Sequence, residues 1–166
     1  MKSNQHIIRY EEFTSSDKLI TEDKALLEKA REATADAYAP YSHFKVGAAA
    51  KLDNGEIVTG TNQENASYPV GICAERTLLA AVSTQFKGRQ IVAMAVSYDN
   101  EGGDSDQPVA PCGMCRQSLV EFETRMQHPI KIIMGGLTGG IITVENATSL
   151  LPFAFHKTAM TKKKKS

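Results

Sequence analysis

The three cysteines of this chain fall in two short segments, and this spacing limits the possible folds more than any other feature. Cys73 opens the segment Cys-Ala-Glu, and Cys112 and Cys115 lie in the segment Pro-Cys-Gly-Met-Cys. Three thiolates make a soft zinc site that is one ligand short of a tetrahedron, and a catalytic zinc needs such an open position for water. The stretch between the segments has room for a helix, a strand and a loop, so a β-α-β-like excursion can bring them together.

Two other interpretations of the cysteines stay open at this point. A redox site needs only the Cys-x-x-Cys pair and leaves Cys73-Ala-Glu without a role. A closed structural zinc site needs a fourth protein ligand. The candidates for that ligand are the four histidines, which are remote from both segments in sequence: His6, His43, His128 and His156.

Charged residues beside the cysteines fit a catalytic zinc. Glu75, two residues after Cys73, is placed to carry protons without binding the metal, although a Glu in a first helical turn can simply interact with the helix dipole. Zinc with three thiolates carries a net negative charge, which weakens its pull on a bound water. Arg76 and Arg116 each directly follow a motif residue and could donate to the sulfurs, restoring acidity to the metal. The alternative is that both arginines are ordinary helix-surface residues.

The composition indicates one globular domain that acts on a small substrate. Of the 166 residues, 42% are apolar and 23% are charged, which is ordinary for a globular protein. The formal net charge of the whole chain is zero only because of the lysine run Lys162–Lys165. The rest of the chain is an acidic body with 15 basic and 19 acidic residues, a net charge of −4. Such a body is poorly suited to bind a phosphate backbone. We therefore expect a small-molecule partner and no nucleic acid.

The sequence carries no signal for export or for membrane insertion. Residues 1–12 offer no apolar core of a signal peptide, and no stretch approaches the length of a membrane span. An odd number of cysteines with metal spacing argues against a disulfide framework. We expect a cytoplasmic protein without a membrane partner, since the cytoplasm keeps thiolates reduced.

The pattern of apolar residues predicts a three-layer α/β/α sandwich around a mixed five-stranded sheet. A helix is expected from Thr21 to about Tyr38, because Pro40 disfavours helical geometry in the residue before it. The other predicted elements are strands at 44–52 and 56–61 with a turn at 53–55, a helix at 73–86, a strand at 91–96, a helix at 112–125, and strands at 130–134 and 141–144. We expect an irregular N-terminal arm (1–20), a catalytic domain (21–156) and a basic, disordered tail (157–166).

Four blocks of sequence follow one another in a characteristic order. They are Pro40–Ala49 (PYSHFKVGAA), Asn62–Tyr68 (NQENASY), Cys73–Thr77 (CAERT) and Pro111–Gln117 (PCGMCRQ). The last two match the zinc deaminases of nucleobases, which carry a His- or Cys-led x-Glu segment followed by Pro-Cys-x-x-Cys. With all four blocks in this order, the chain resembles the short-chain, homotetrameric cytidine deaminases of pyrimidine salvage over about residues 21 to 156.

The resemblance implies zinc-dependent hydrolysis of cytidine and deoxycytidine to uridine and deoxyuridine, with release of ammonia, in a homotetramer. One zinc per subunit would be held by Cys73, Cys112 and Cys115, with water or hydroxide as the fourth ligand, and Glu75 would act as general acid and base. The residues that match the family's substrate contacts are Phe44 against the base, Asn62 and Glu64 at the ribose hydroxyls, the Ala74 backbone amide at the base carbonyl, and Tyr68 and Phe155, which would complete a neighbouring subunit's pocket. Phe153 is a second candidate for the role of Phe155.

Three other functions compete with this one. A blasticidin-type deaminase shares the three-cysteine site, but the Asn62-x-Glu64 pair favours an ordinary nucleoside. A polynucleotide editor usually leads with His-Ala-Glu and needs a basic path, which the acidic body does not offer. A deaminase-like fold kept as a zinc-stabilised binding module is disfavoured, because every expected catalytic residue is present. Three features depart from the family pattern: the long arm, an acidic, Gly-rich loop at 99–109, and the tail Lys162–Lys165.

Overall fold

A mixed six-stranded β-sheet forms the centre of the structure, a computed structural model that describes residues 1–160. Three helices pack on the two faces of this sheet, which confirms the predicted α/β class and its three layers. The helices are α1 (Thr21–Ala33), α2 (Ala74–Gln85) and α3 (Gly113–Met126). The strands are β1 (Glu11–Phe13), β2 (Phe44–Leu52), β3 (Ile57–Thr61), β4 (Ile91–Asn100), β5 (Lys131–Gly135) and β6 (Ile141–Val144).

The strands lie in the order β1-β6-β5-β4-β2-β3, and among them β4 and β5 run parallel. β2 and β3 form the predicted antiparallel hairpin, in which Gly55 takes a φ of 87° that a tight turn favours in glycine. A parallel pair needs a crossover connection, and α3 supplies it between β4 and β5. The chain between the two cysteine segments therefore consists of α2, β4 and a loop, as the spacing predicts.

Alternation of side chains along the strands divides the core between the two faces of the sheet. Successive residues of a strand point to opposite faces, so β2 buries Ala48 and Ala50 in the core cluster that contains α2 and α3. Its Ala49 belongs instead to the cluster around α1, together with Leu27 and Ala30 of that helix. The strand is thus covered on both sides.

Two glycines let the helices approach the sheet closely. A Cβ atom on Gly47 would lie 2.1 Å from the carbonyl oxygen of Ala30 in α1, and a Cβ on Gly60 would lie 2.6 Å from the backbone nitrogen of Leu78 in α2. Both distances are far below van der Waals contact, so only glycine fits at either position. Gly60 therefore helps to set the distance between β3 and α2.

The prediction of five strands is wrong by one, because the N-terminal arm contributes β1. Glu11–Phe13 pairs antiparallel with β6, and the Phe13 side chain packs against the core cluster around α1. Three residues with two acidic side chains carry little strand propensity of their own. The unpaired backbone of the β6 edge is what orders them, and that edge is invisible in the local sequence.

The first helix also ends earlier than predicted. The α-helical part of α1 stops at Ala33 and gives way to a 3₁₀ turn at Thr34–Asp36, where the Thr34 hydroxyl donates to the carbonyl oxygen of Arg31 at 2.8 Å. Such a side-chain bond competes with the helical backbone pattern, so the helix changes type before Pro40 can stop it.

Within residues 1–160, no helix has the length and apolarity that a membrane span requires. The predicted tail begins in a 3₁₀ turn at Lys157–Met160. Its lysines, Lys162–Lys165, lie outside the described residues.

A buried carboxylate in α3 joins three parts of the fold. Glu123 is 8% exposed, and its Oε1 accepts hydrogen bonds of 2.7 Å from the backbone amides of Ile130 and Ala147. Its Oε2 accepts from the backbone amide and the hydroxyl of Thr148. The carboxylate therefore satisfies backbone donors before β5 and after β6, which the sequence alone does not reveal.

Replacing this carboxylate should destabilise the protein strongly. We expect Glu123→Ala to lower the free energy of unfolding by about 3 kcal/mol, because two buried amides lose their acceptor. Exposed Glu121 on the same helix supplies the matched control, and Glu121→Ala should change stability by about 0.5 kcal/mol or less. Urea denaturation followed by circular dichroism measures both, and equal stabilities of the two variants would contradict this role of Glu123.

Candidate active site

A cavity of about 610 Å³ opens where the two cysteine segments meet. Its walls come from β2, from the loop after β3, and from the first residues of α2 and α3. Cys73 and Cys112 occupy the N-cap positions of these two helices. Helix N-termini carry partial positive charge, so the fold places two of the thiols where the thiolate form is favoured.

The three sulfurs form one cluster at the edge of this cavity. Sγ of Cys112 lies 3.9 Å from Sγ of Cys73 and 3.6 Å from Sγ of Cys115, and all three atoms lie within 4.8 Å of one another. Over the described residues 1–160, no histidine joins the cluster. Three sulfurs at these separations suit a tetrahedral zinc that keeps one open position. A closed zinc site with a protein fourth ligand is therefore not supported by the geometry.

Burial and hydrogen bonding divide the cysteines into unequal thiols. The neighbouring Cys115 thiol lowers the pKa of Cys73 to about 6. The interaction with Cys73, together with burial, raises the pKa of the Cys115 thiol. Of these two cysteines, Cys73 therefore favours the thiolate form that binds a soft cation.

Glu75 is the second residue of α2 and belongs to the cavity wall. The residue is only 4% exposed, and this burial raises the pKa of its carboxyl group. A carboxyl group with a raised pKa can both accept a proton and return it near neutral pH. The position and the environment of Glu75 fit the predicted proton carrier.

The two arginines differ in what they contact. The charge of Arg76 contributes to lowering the pKa of Cys73. Arg116 donates from Nε to the carbonyl oxygen of Pro111 at 2.7 Å and from Nη1 to that of Leu150 at 3.0 Å. These two bonds hold the backbone before Cys112, and the donation of Arg116 to a sulfur stays a prediction.

Asn62 and Glu64 both line the cavity, but their partners differ. Asn62 is paired with the backbone of β2, since its Oδ1 accepts from the amide of Val46 at 2.7 Å and its Nδ2 donates to the carbonyl of Phe44 at 2.9 Å. Glu64 lies above a turn, and its carboxylate accepts from the backbone and side chain of Ser42. These bonds hold the pKa of the Glu64 carboxyl below its usual value, with the Ser42 hydroxyl as the largest contribution.

The base-facing residues predicted from the sequence are also brought to the cavity. The Phe44 ring forms part of its wall and stacks on Tyr98, with the ring centroids 4.8 Å apart and the planes inclined by 15°. Ala74 is buried and begins α2, so its backbone amide belongs to the first helical turn, whose amides have no acceptor within the helix. The amide is available to a ligand carbonyl.

Tyr68 and Phe155 lie in different places. Tyr68 is 74% exposed, contributes to this chain's own cavity and contacts Tyr41 edge-on at a centroid distance of 5.9 Å. Phe155 is 59% exposed and does not line the cavity, but its backbone is held on α3 by both amide atoms of Gln117. Phe155 is therefore not part of the cavity wall of its own chain.

Sequence reasoning missed two residues that shape the site. Tyr98 supports Phe44 from a part of β4 that the apolar run at 91–96 does not reach, so no local signal identifies it. Ser42 lies inside the block PYSHFKVGAA. A serine in a turn is a local signal for a hydroxyl that hydrogen-bonds to nearby groups.

Comparisons with known proteins agree with this geometry. The family described as "Cytidine and deoxycytidylate deaminase zinc-binding region" matches residues 20–128, a range that contains all three cysteines and Glu75. A cytidine deaminase of Halalkalibacterium halodurans is 40% identical over 130 residues, which cover 78% of this chain and 91% of that protein. One of Sporosarcina psychrophila is 43% identical over 142 residues, covering 85% and 91%.

Solved structures match the fold over nearly the same range. The crystal structure of cytidine deaminase from Burkholderia pseudomallei has a TM-score of 0.68 at 37% identity, and the match covers 82% of this chain and 100% of that one. That from Mycobacterium tuberculosis has a TM-score of 0.61 at 36% identity, covering 80% and 95%. The family match and the sulfur cluster together support zinc as the bound metal.

The unequal thiols predict how zinc affinity depends on pH. Zinc displaces thiol protons when it binds. Above about pH 6, Cys73 has already lost its proton, whereas below that pH zinc must displace it. Affinity should therefore fall as the pH falls, and more steeply below about pH 6 than above it. Competition with a chelator, corrected for the chelator's own protonation, measures this, and a constant slope across pH 6 would count against the assignment.

Proposed function

This chain belongs to the cytidine deaminase family, and we propose that it hydrolyses cytidine and deoxycytidine to uridine and deoxyuridine with release of ammonia, as in pyrimidine salvage. One observation carries the proposal. A three-sulfur cluster and a buried carboxyl open together onto a cavity of about 610 Å³, which is a suitable size for a small ligand. The chemistry of hydrolytic deamination needs this pair of features.

In the proposed reaction, Cys73, Cys112 and Cys115 hold the metal and Glu75 moves the protons. Zinc at this site supplies Lewis acidity, which lowers the pKa of a water molecule. The Glu75 carboxylate accepts a proton from the attacking water and delivers it to N3 of the base. It then takes the second proton of the water oxygen, which is now attached to C4, and passes it to the amino group, so that the C4–N bond breaks, ammonia leaves and the oxygen becomes the carbonyl of uridine. The raised pKa of Glu75 supports both directions of transfer.

The remaining cavity residues position the nucleoside in this proposal. Phe44, supported by Tyr98, packs against the base, and the Ala74 amide donates to the base carbonyl from the positive end of α2. Glu64 accepts from the 3′-hydroxyl of the ribose. The Asn62 side chain makes two hydrogen bonds to β2. Its amide group can make more than two, and in this proposal it uses the remaining ones to contact the ribose.

We propose that the enzyme is a homotetramer in which Phe155 reaches a neighbouring site. Support comes from exposed apolar side chains beside the cavity and on the adjoining face of α3. Tyr68 is 74% exposed and Met114 62% exposed at the cavity wall, while Phe155 is held outside it. Exposed apolar groups that cluster in this way are typical of an interface. Tyr68 would then lie between its own cavity and the adjoining subunit.

A cytoplasmic location is part of the proposal. All three cysteines are free and lie close enough together to bind one metal. A reducing compartment keeps such thiols available as ligands.

Loss of the Glu75 carboxyl should separate metal binding from catalysis. We expect Glu75→Ala to retain about one zinc per chain and to lose turnover of cytidine by a factor of about 10³, because proton transfer by one positioned group contributes about 10²–10⁴. A spectrophotometric assay with cytidine and zinc quantitation on the same sample test this. Activity within about tenfold of the unmodified protein would rule out Glu75 as the proton carrier.

Mixed oligomers test whether Phe155 acts in a neighbouring subunit. We expect Phe155→Ala to lower kcat/KM about tenfold or more, as truncation of a buried aromatic contact does, whereas Phe153→Ala, at the 99% exposed neighbour, should not. Co-expressed with Glu75→Ala, the Phe155→Ala chain should recover activity, because a site with its own Glu75 can receive Phe155 from the other chain. Absence of recovery in co-purified mixed oligomers would place Phe155 outside the neighbouring site.

A further inference from the structure

One turn supplies every donor that the Glu64 carboxylate receives within the described residues. Oε2 accepts from the backbone amides of Tyr41 and Ser42 at 2.9 and 3.2 Å, and Oε1 accepts from the Ser42 hydroxyl at 2.5 Å. Ser42 alone therefore contributes two of the three bonds. Charge-assisted bonds of this kind are stronger than neutral ones, and together they fix the plane of the carboxylate.

The turn is itself held in place by main-chain bonds on both sides. The amide of His43 donates to the carbonyl of Ala39 at 3.0 Å, and the carbonyl of His43 accepts from the amide of Glu101 at 3.0 Å. The amide of Glu64 donates to the carbonyl of Tyr38 at 2.8 Å. The donors and the carboxylate are thus attached to one frame, with the Ser42 hydroxyl between them.

The residue after Ser42, His43, has a strained backbone conformation. His43 has a φ of 56°, a left-handed conformation that is uncommon for residues other than glycine. This conformation separates Ser42, which faces Glu64, from Phe44, which begins β2 and lines the cavity. Strained backbone of this kind persists where its surroundings hold it, often beside functional groups.

We propose that Ser42 is a positioning residue whose hydroxyl orients the Glu64 carboxylate towards the sugar of the substrate. This inference rests on the proposed function, in which Glu64 accepts from the 3′-hydroxyl. With three donors fixed on the carboxylate by the protein, one of its about four lone-pair sites is left, and a nucleoside with a 3′-hydroxyl can donate to that site. Ser42 therefore acts on the choice of sugar through Glu64.

The Ser42 hydroxyl has a second partner that defines the competing explanation. Its oxygen accepts from the backbone amide of Phe44 at 3.0 Å. If this bond were the important one, loss of the hydroxyl would disturb the wall against the base, and every nucleoside would be affected equally. A substrate without the 3′-hydroxyl distinguishes the two roles, because it needs the base wall but not the Glu64 contact.

The experiment compares cytidine with 3′-deoxycytidine in zinc-loaded enzyme. We expect Ser42→Ala to lower kcat/KM for cytidine about tenfold, the size of a lost hydrogen bond to a charged group, and to change that for 3′-deoxycytidine by less than about twofold. Ser42→Thr, which keeps the hydroxyl, should restore the preference for cytidine. Thr84→Ala is the matched control, since it removes a hydroxyl that bonds only within α2.

The double variant and Glu64→Gln complete the test. Glu64→Gln should itself reduce the preference for cytidine, and adding Ser42→Ala to it should cause no further loss, because residues that act through one contact are not additive. Equal losses on both substrates, or no loss on either, would overturn the role of Ser42 while leaving Glu64 in place. If Glu64→Gln does not separate the substrates, the ribose contact in the proposed function is wrong, and the role of Ser42 falls with it.

Discussion

The contact between two helix N-termini is the constraint on which the site depends. α2 and α3 begin next to each other, and the N-cap residues Cys73 and Cys112 bring their sulfurs to 3.9 Å. The macrodipoles of both helices point their positive ends at this spot, so the thiolate forms of Cys73 and Cys112 lie in a field that stabilises negative charge. A zinc ion with three thiolates is negative, and this field offsets part of that charge.

The sheet makes this meeting of helices possible, and small residues in it set the distances. Gly60 admits the backbone of α2 against β3, because a side chain there would overlap Leu78. The alanines Ala48 and Ala50 of β2 supply small side chains to the core under α2 and α3. The loop that follows β3 brings Asn62 and Glu64 to the cavity wall. The β2–β3 hairpin therefore packs the core and also positions the polar residues of the cavity wall.

Local patterns predict much of this arrangement. β2 and β6 match their predicted bounds, and Cys73 and Cys112 fall at helix starts, because hydrophobic period and turn residues are local signals. The features that were not predicted depend on contacts between residues that are distant in the sequence. β1 exists because the edge of β6 needs a pair, and Arg116 turns to Leu150 because the returning chain offers a carbonyl. A sequence read along its length does not contain those contacts.

The acidic loop after β4 is bound through its backbone to the turn between β5 and β6. Thr138 and Gly140 donate to the carbonyls of Ser105 and Asp106 at 3.1 Å. The fit is close enough that a Cβ on Gly139 would lie 2.0 Å from the Asp106 carbonyl oxygen, so this turn requires glycine. The backbone before Cys112 is thereby fixed to the β5–β6 turn on one side and to Arg116 on the other. The second cysteine segment is therefore held in place, because its backbone is anchored on both sides.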